Sequence, residues 1–143
     1  MSRWKSVLVG VDGSPGSRKA LAWAAAEAAD HGAELVVLSV WEPALLPPVG
    51  SGSVPVGSLP VPGEQAAADL VQVIHEELGA SPPVVAQPQV KQGNPAEVLI
   101  EQSASADLLV VGTRGYGGFA GLVLGSVSQH VAAYARCPVT VVR

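Results

Sequence analysis

Gly112-Thr-Arg-Gly115 is followed by nine residues and then by Gly125-Ser126. These small residues come directly after the apolar run Leu108-Leu-Val-Val111 and just before a helical-looking stretch, 127–135. A strand that empties into a glycine-rich loop and then feeds a helix suits an anion. Glycine lets the main chain approach it, and the unpaired N–H groups of the first helical turn point at it. The chemistry expected here is therefore the holding of phosphate, and a nucleotide is the natural carrier. Ser126 is expected to cap the helix, with a hydroxyl that can also meet a phosphate oxygen. Arg114 is the basic side chain of the loop, and two readings stand: pairing with phosphate, or projection into water.

Two neighbouring motifs fail. A Walker A loop needs a lysine after its second glycine, and the lysines are Lys5, Lys19 and Lys91, all outside the loop. The run from Gly115 to Ala120 satisfies a loose G-x-G-x-x-A pattern. The dinucleotide fold also requires an acidic residue about twenty positions later, and neither Asp nor Glu occurs after Asp107. Catalytic constellations are poor. His31, His75 and His130 are scattered, and neither a Ser–His–Asp pattern nor a His–Cys metal spacing appears. No catalytic or metal-ligating residue is assigned.

The elements that must position the loop alternate along the chain. Residues 6–11 read as a strand ending at Asp12-Gly13-Ser14-Pro15, and 17–31 as an Ala-rich helix stopped by Gly32. A second strand is expected over 34–40 and a second helix over 64–78, stopped by Gly79. Residues 82–90 form a third strand, placed at an edge by Pro88. Asn94-Pro95 opens a helix running to about 103, with Glu97 completing the cap. Strands follow at 108–111 and 139–142. Between the second strand and the second helix, 41–63 is rich in Pro, Gly and Ser and reads as a long irregular loop, either a lid over the site or a tolerated insertion. Trp41 could lie against a base or pack beneath this loop.

Solid apolar strands separated by helices predict an α/β domain over 1–143. Its sheet is open, mostly parallel and five-stranded, with helices on both faces, Rossmann-like in the order 3-2-1-4-5. Ligands of such sheets sit at the carboxyl ends of the strands, where Asp12, Val40 and Gly112 converge.

Composition narrows the class. A 143-residue chain that is 48% hydrophobic and 14% charged can bury a real core. Its net charge of −4 argues against general nucleic-acid binding. The lone Cys137 excludes an internal disulfide and reads as a buried, inert thiol. Without a leader-like start or a membrane-length apolar run, a cytoplasmic protein is expected.

The chain resembles the universal stress proteins. Val9-Gly-Val-Asp-Gly-Ser14, the glycine spacing from 112 to 126 and the terminal Pro138-Val-Thr-Val-Val142 carry the resemblance, which covers essentially the whole chain. The spacing points to the branch that binds nucleotide. The resemblance implies ATP as ligand, with Mg²⁺ sharing the phosphate charge. Asp12 would lie beside ribose and adenine, although Asp also commonly does no more than form a turn. The Val40 backbone would hold the adenine edge and Gly112 the ribose. Gly115, Gly125, Ser126 and Val127 would wrap the phosphates. It further implies a homodimer through the last strand, residues 138–143, and a nucleotide-dependent switch or sensor in stress response. The alternative is a slow ATPase or phosphoryl-transfer enzyme on the same site.

Overall fold

The computed structural model describes residues 4–42, 62–113 and 124–143. Strand β1 (Ser6–Gly10) leads into helix α1 (Pro15–His31), then β2 (Glu34–Trp41) and α2 (Pro62–Leu78). β3 (Ala86–Gln92), α3 (Pro95–Ser103), β4 (Leu108–Gly112), α4 (Ser126–Tyr134) and β5 (Val139–Val142) complete the order. The strands form one parallel sheet ordered β3-β2-β1-β4-β5, as the alternation predicts.

Both faces of this sheet are covered, which explains why its central strands carry apolar residues toward both sides. On one face Leu21, Ala24 and Ala28 of α1 and Leu70 and Val73 of α2 pack against Val7, Val9, Leu35, Val37 and Val110. On the other, Leu99 of α3 and Val131 of α4 pack against Leu8, Leu38, Leu109 and Val111. The chain crosses from the first face to the second between β3 and β4. The switch point of the winding therefore lies between β1 and β4, at their carboxyl ends.

Local chemistry sets the element ends. Ser14 caps α1 by accepting from Ser17 N, with Pro15 next in the chain, so the helix starts two residues before the sequence pattern suggests. Asn94 caps α3, accepting from Glu97 N at 3.1 Å, as expected. The third strand departs from expectation. It occupies Ala86–Gln92 rather than beginning at 82, because its partner offers a register only from Leu35 opposite Ala86 to Trp41 opposite Gln92. It does lie at the edge, with Pro88 in it. Trp41 closes β2, and Pro62 and Gly63 open α2. The remainder of the expected long loop, 43–61, lies outside the described residues, and so does its reading as lid or insertion. No helix among the described residues is long and apolar enough to cross a membrane.

Candidate functional site

The candidate site is built from the point at which each central strand stops. Successive residues of a strand turn their N–H and C=O groups to alternate sides. Leu38 O accepts from Val11 N on the β1 side, and Trp41 O accepts from Gly93 N on the β3 side, both at 2.9 Å. The same alternation turns the N–H and C=O of Val40 toward β1, whose ladder ends at Gly10 opposite Leu38. Val40 thus offers a main-chain donor and acceptor just past the end of β1.

Asp12 follows that end directly. Its Oδ1 accepts from Ser14 N at 2.9 Å and from Ser14 Oγ at 2.5 Å, and its own N–H donates to Ser17 Oγ at 3.2 Å. Ser17 Oγ in turn donates to Ser14 O at 3.0 Å. Gly13 between them has φ 85°, a conformation that favours glycine. Asp12 therefore does perform the turn-forming role expected of the residue type, and it does so at the crevice with its side chain exposed.

Gly112 ends β4 against the first turn of α1. A Cβ built on it would lie 2.7 Å from Gly16 O and 3.2 Å from Ser17 N. This close approach gives the glycine a packing reason of its own. Beyond it, Gly125 N donates to Thr113 O at 2.6 Å, joining the two ends of the glycine-rich segment. Ser128 Oγ, on a buried residue, lies 2.5 Å from Gly112 O and 3.0 Å from Thr113 O. Through Ser17 and Ser128, the structure brings Asp12, Gly112 and Gly125 into one contiguous cluster, with Val40 two residues past Leu38 on its flank.

One expectation is corrected. Ser126 does not cap α4. Gly125 occupies the cap position in extended geometry (φ −76°, ψ 174°), and its carbonyl accepts the first helical bond, from Gln129 N. Ser126 is the first helical residue, and its Gly125 cap makes no side-chain hydrogen bond to the turn. That leaves the N-terminal N–H groups of Ser126 and Val127 without the internal acceptor a capping hydroxyl would supply. Arg114 and Gly115 lie outside the described residues.

Sequence reasoning missed Ser14, Ser17, Arg18 and Ser128. A serine directly before Pro15 is a legible cap signal, Ser17 bonds only within the same turn, and the long-range bonds of Arg18 and Ser128 leave no local trace. Arg18 donates from Nε to Gly13 O at 3.0 Å and from its guanidinium to Glu76 (2.7 Å) and Glu77 (3.2 Å) of α2. The remaining candidates turn elsewhere. Trp41 lies with its indole 3.7 Å from where a Cβ on Gly63 would stand, which is packing against α2. His130 meets Tyr134 in a tilted ring contact, centroids 5.3 Å apart and planes at 57°. His31 shares Glu27 Oε1 with Trp4, far from the loop in sequence. Cys137 is half-buried, and that burial, aided by nearby Asp107, pushes its thiol pKa up, in keeping with an inert group. Among the described residues no group of three or more His, Cys, Asp or Glu is placed to hold a metal ion.

A doubly wound parallel sheet with main-chain groups converging at its switch point defines a Rossmann-like α/β protein. The sequence matches the universal stress protein family over residues 3–143, and the chain belongs to that family. Universal stress protein Rv2623 of Mycobacterium tuberculosis is 40% identical over 144 residues, covering 96% of this chain and 44% of that protein. A universal stress protein of Thermus aquaticus is 38% identical over 142 residues, covering 98% of this chain and 99% of that one. The chain thus spans less than half the length of the mycobacterial relatives it matches. A universal stress protein solved in complex with cAMP superposes with a TM-score of 0.66 at 28% identity, covering 98% and 97% of the two chains.

Proposed function

We propose that this chain binds an adenine nucleotide, ATP with Mg²⁺, in the crevice bounded by Asp12, Val40, Gly112 and the start of α4. The observation that carries the reading is the convergence of main-chain groups at one switch point. Val40 faces past the end of β1, and the cap of α4 is a glycine, which offers its first turn no side-chain acceptor. The cAMP complex of a 28% identical relative supports the adenine ring as the recognised base. Val40 suits the edge of that base, since a main-chain N–H and C=O can serve its donor and acceptor together. The exposed Asp12 carboxylate suits ribose hydroxyls, and Gly125, Ser126 and Val127 suit the phosphates. Arg114 and Gly115 complete the proposed phosphate cradle. Mg²⁺ would be held chiefly by the phosphates themselves, a common arrangement for this ion.

The protein would act in the cytoplasm as a nucleotide-dependent switch in stress response, residues 1–143 forming one domain, paired with a second copy through residues 138–143. Calorimetry with ATP and Mg²⁺ tests the reading. Saturable binding is expected, weakened in the Ser126→Pro variant, which removes one N–H of the proposed cradle while remaining compatible with a first helical position. Absence of binding at millimolar nucleotide overturns it.

A further inference from the structure

Helix α2 is tied to the residues around the crevice at two places. Its first turn carries Gly63, which lies against the Trp41 indole next to Val40. Its last turn carries Glu76 and Glu77, which hold the guanidinium of Arg18. Arg18 lies in the first turn of α1, and its Nε donates to the Gly13 carbonyl beside Asp12. Gly63 and Glu76 are thirteen residues apart in one helix, a span of about 20 Å. One rigid rod therefore braces the Val40 flank at one end and the Asp12 flank at the other.

The contact at Arg18 suits transmission. A guanidinium offers donors in a fixed plane, so the donor to Gly13 O and the donors to the two carboxylates cannot move independently. Gln72 Nε2 donates to Glu76 Oε1 at 2.9 Å, which fixes the carboxylate on its own helix. A shift of the turn at Asp12 and Gly13 is thereby passed to α2 through one planar group. Trp41 and Gly63, by comparison, meet only through van der Waals contact.

We propose that Arg18 is a positioning residue that ties the turn at Asp12 and Gly13 to α2, so that α2 is the element that registers occupancy of the crevice. This rests on the nucleotide reading above. Ligand contacts at Asp12 hold the turn, the turn holds Arg18, and Arg18 holds the last turn of α2.

Hydrogen–deuterium exchange on the full chain, with and without millimolar ATP and Mg²⁺, tests the coupling. In the wild type, ATP is expected to slow exchange over 74–79 as well as at Gly125–Val127. In Arg18→Gln the slowing over 74–79 is lost while that at the start of α4 persists, and ATP affinity falls about fivefold. The double variant Glu76→Gln/Glu77→Gln releases the same link from the α2 side and gives the same loss over 74–79. ATP binding that leaves 74–79 unchanged in the wild type, or slowing there that survives both variants, overturns the coupling. Should the wild type take up no ATP, the nucleotide reading falls and the unliganded protein decides the matter. Arg18→Gln must then speed exchange both at 13–14 and over 74–79, and no change at either site overturns the link.

Discussion

A methyl group on Gly112 would press on main chain, not on a side chain able to swing away. Its nearest neighbours would be the carbonyl oxygen and carbon of Gly16, at 2.7 and 2.8 Å. Gly112→Ala is therefore expected to cost about 1–3 kcal/mol by overpacking, read as a lower urea midpoint, and to weaken nucleotide binding by forcing β4 away from α1. Ser128 poses the opposite problem. It is buried, and its hydroxyl donates to the Gly112 carbonyl at 2.5 Å, with the Thr113 carbonyl, which also accepts from Gly125 N, 3.0 Å away. Ser128→Ala should cost about 1–3 kcal/mol, because a buried acceptor loses its donor. Urea unfolding of this variant gives the figure. Nucleotide titration of the same variant should show weaker binding, since the base of the glycine-rich segment is no longer pinned to β4. A stability unchanged in either variant would mean that these contacts relax without cost.

At the scale of elements, strands and helices were legible wherever periodicity or a cap spoke locally. Residues 139–142 and the Asn94-capped helix fall where the pattern puts them, because apolar runs and Asn-Pro signals are properties of the segment itself. The start of β3 was not, since it depends on where β2 offers a partner. Likewise the glycine spacing pointed to the candidate site, but Arg18 and Ser128 act across 58 and 16 positions of sequence, which no window contains. The α1–α2 link also has a pH signature. Hydrogen bonds from Gln72 and then Arg18 lower the Glu76 pKa below its ordinary value. A carboxylate depressed in the folded state adds stability that is complete above its unfolded pKa, about 4.3, and is lost as pH falls through the folded value. The urea midpoint of wild type should thus exceed that of Glu76→Gln at pH 6, and the gap should close under more acidic conditions. Salt should narrow the gap at pH 6 as well, because the pair is partly exposed. A gap that is constant with pH would show that the carboxylate contributes packing and not charge.

For the whole molecule, the two sheet edges differ in a way that bears on assembly. β3 carries Pro88 and Lys91, residue types that discourage pairing with another chain. β5 is Val139-Thr-Val-Val142, without charge until Arg143. Leu109 N donates to Pro138 O and Thr113 N to Val142 O, so the even-numbered residues of this strand face β4. By alternation Val139 and Val141 turn their N–H and C=O groups to the open side. A second copy pairing there, as proposed, would use the N–H of Val141. Val141→Pro removes that donor while leaving the ladder to β4 intact, the position at which a strand tolerates proline. The expected result in sedimentation equilibrium is a dimer for wild type and a monomer for Val141→Pro, with unchanged far-UV circular dichroism. Lys91→Val, which makes the opposite edge more apolar, is expected to leave the wild-type dimer as it is. A Val141→Pro variant that stays dimeric would move the interface off β5. A wild type that is monomeric at high micromolar concentration would remove the pairing altogether, leaving the crevice at the β1–β4 switch point to work in a single chain.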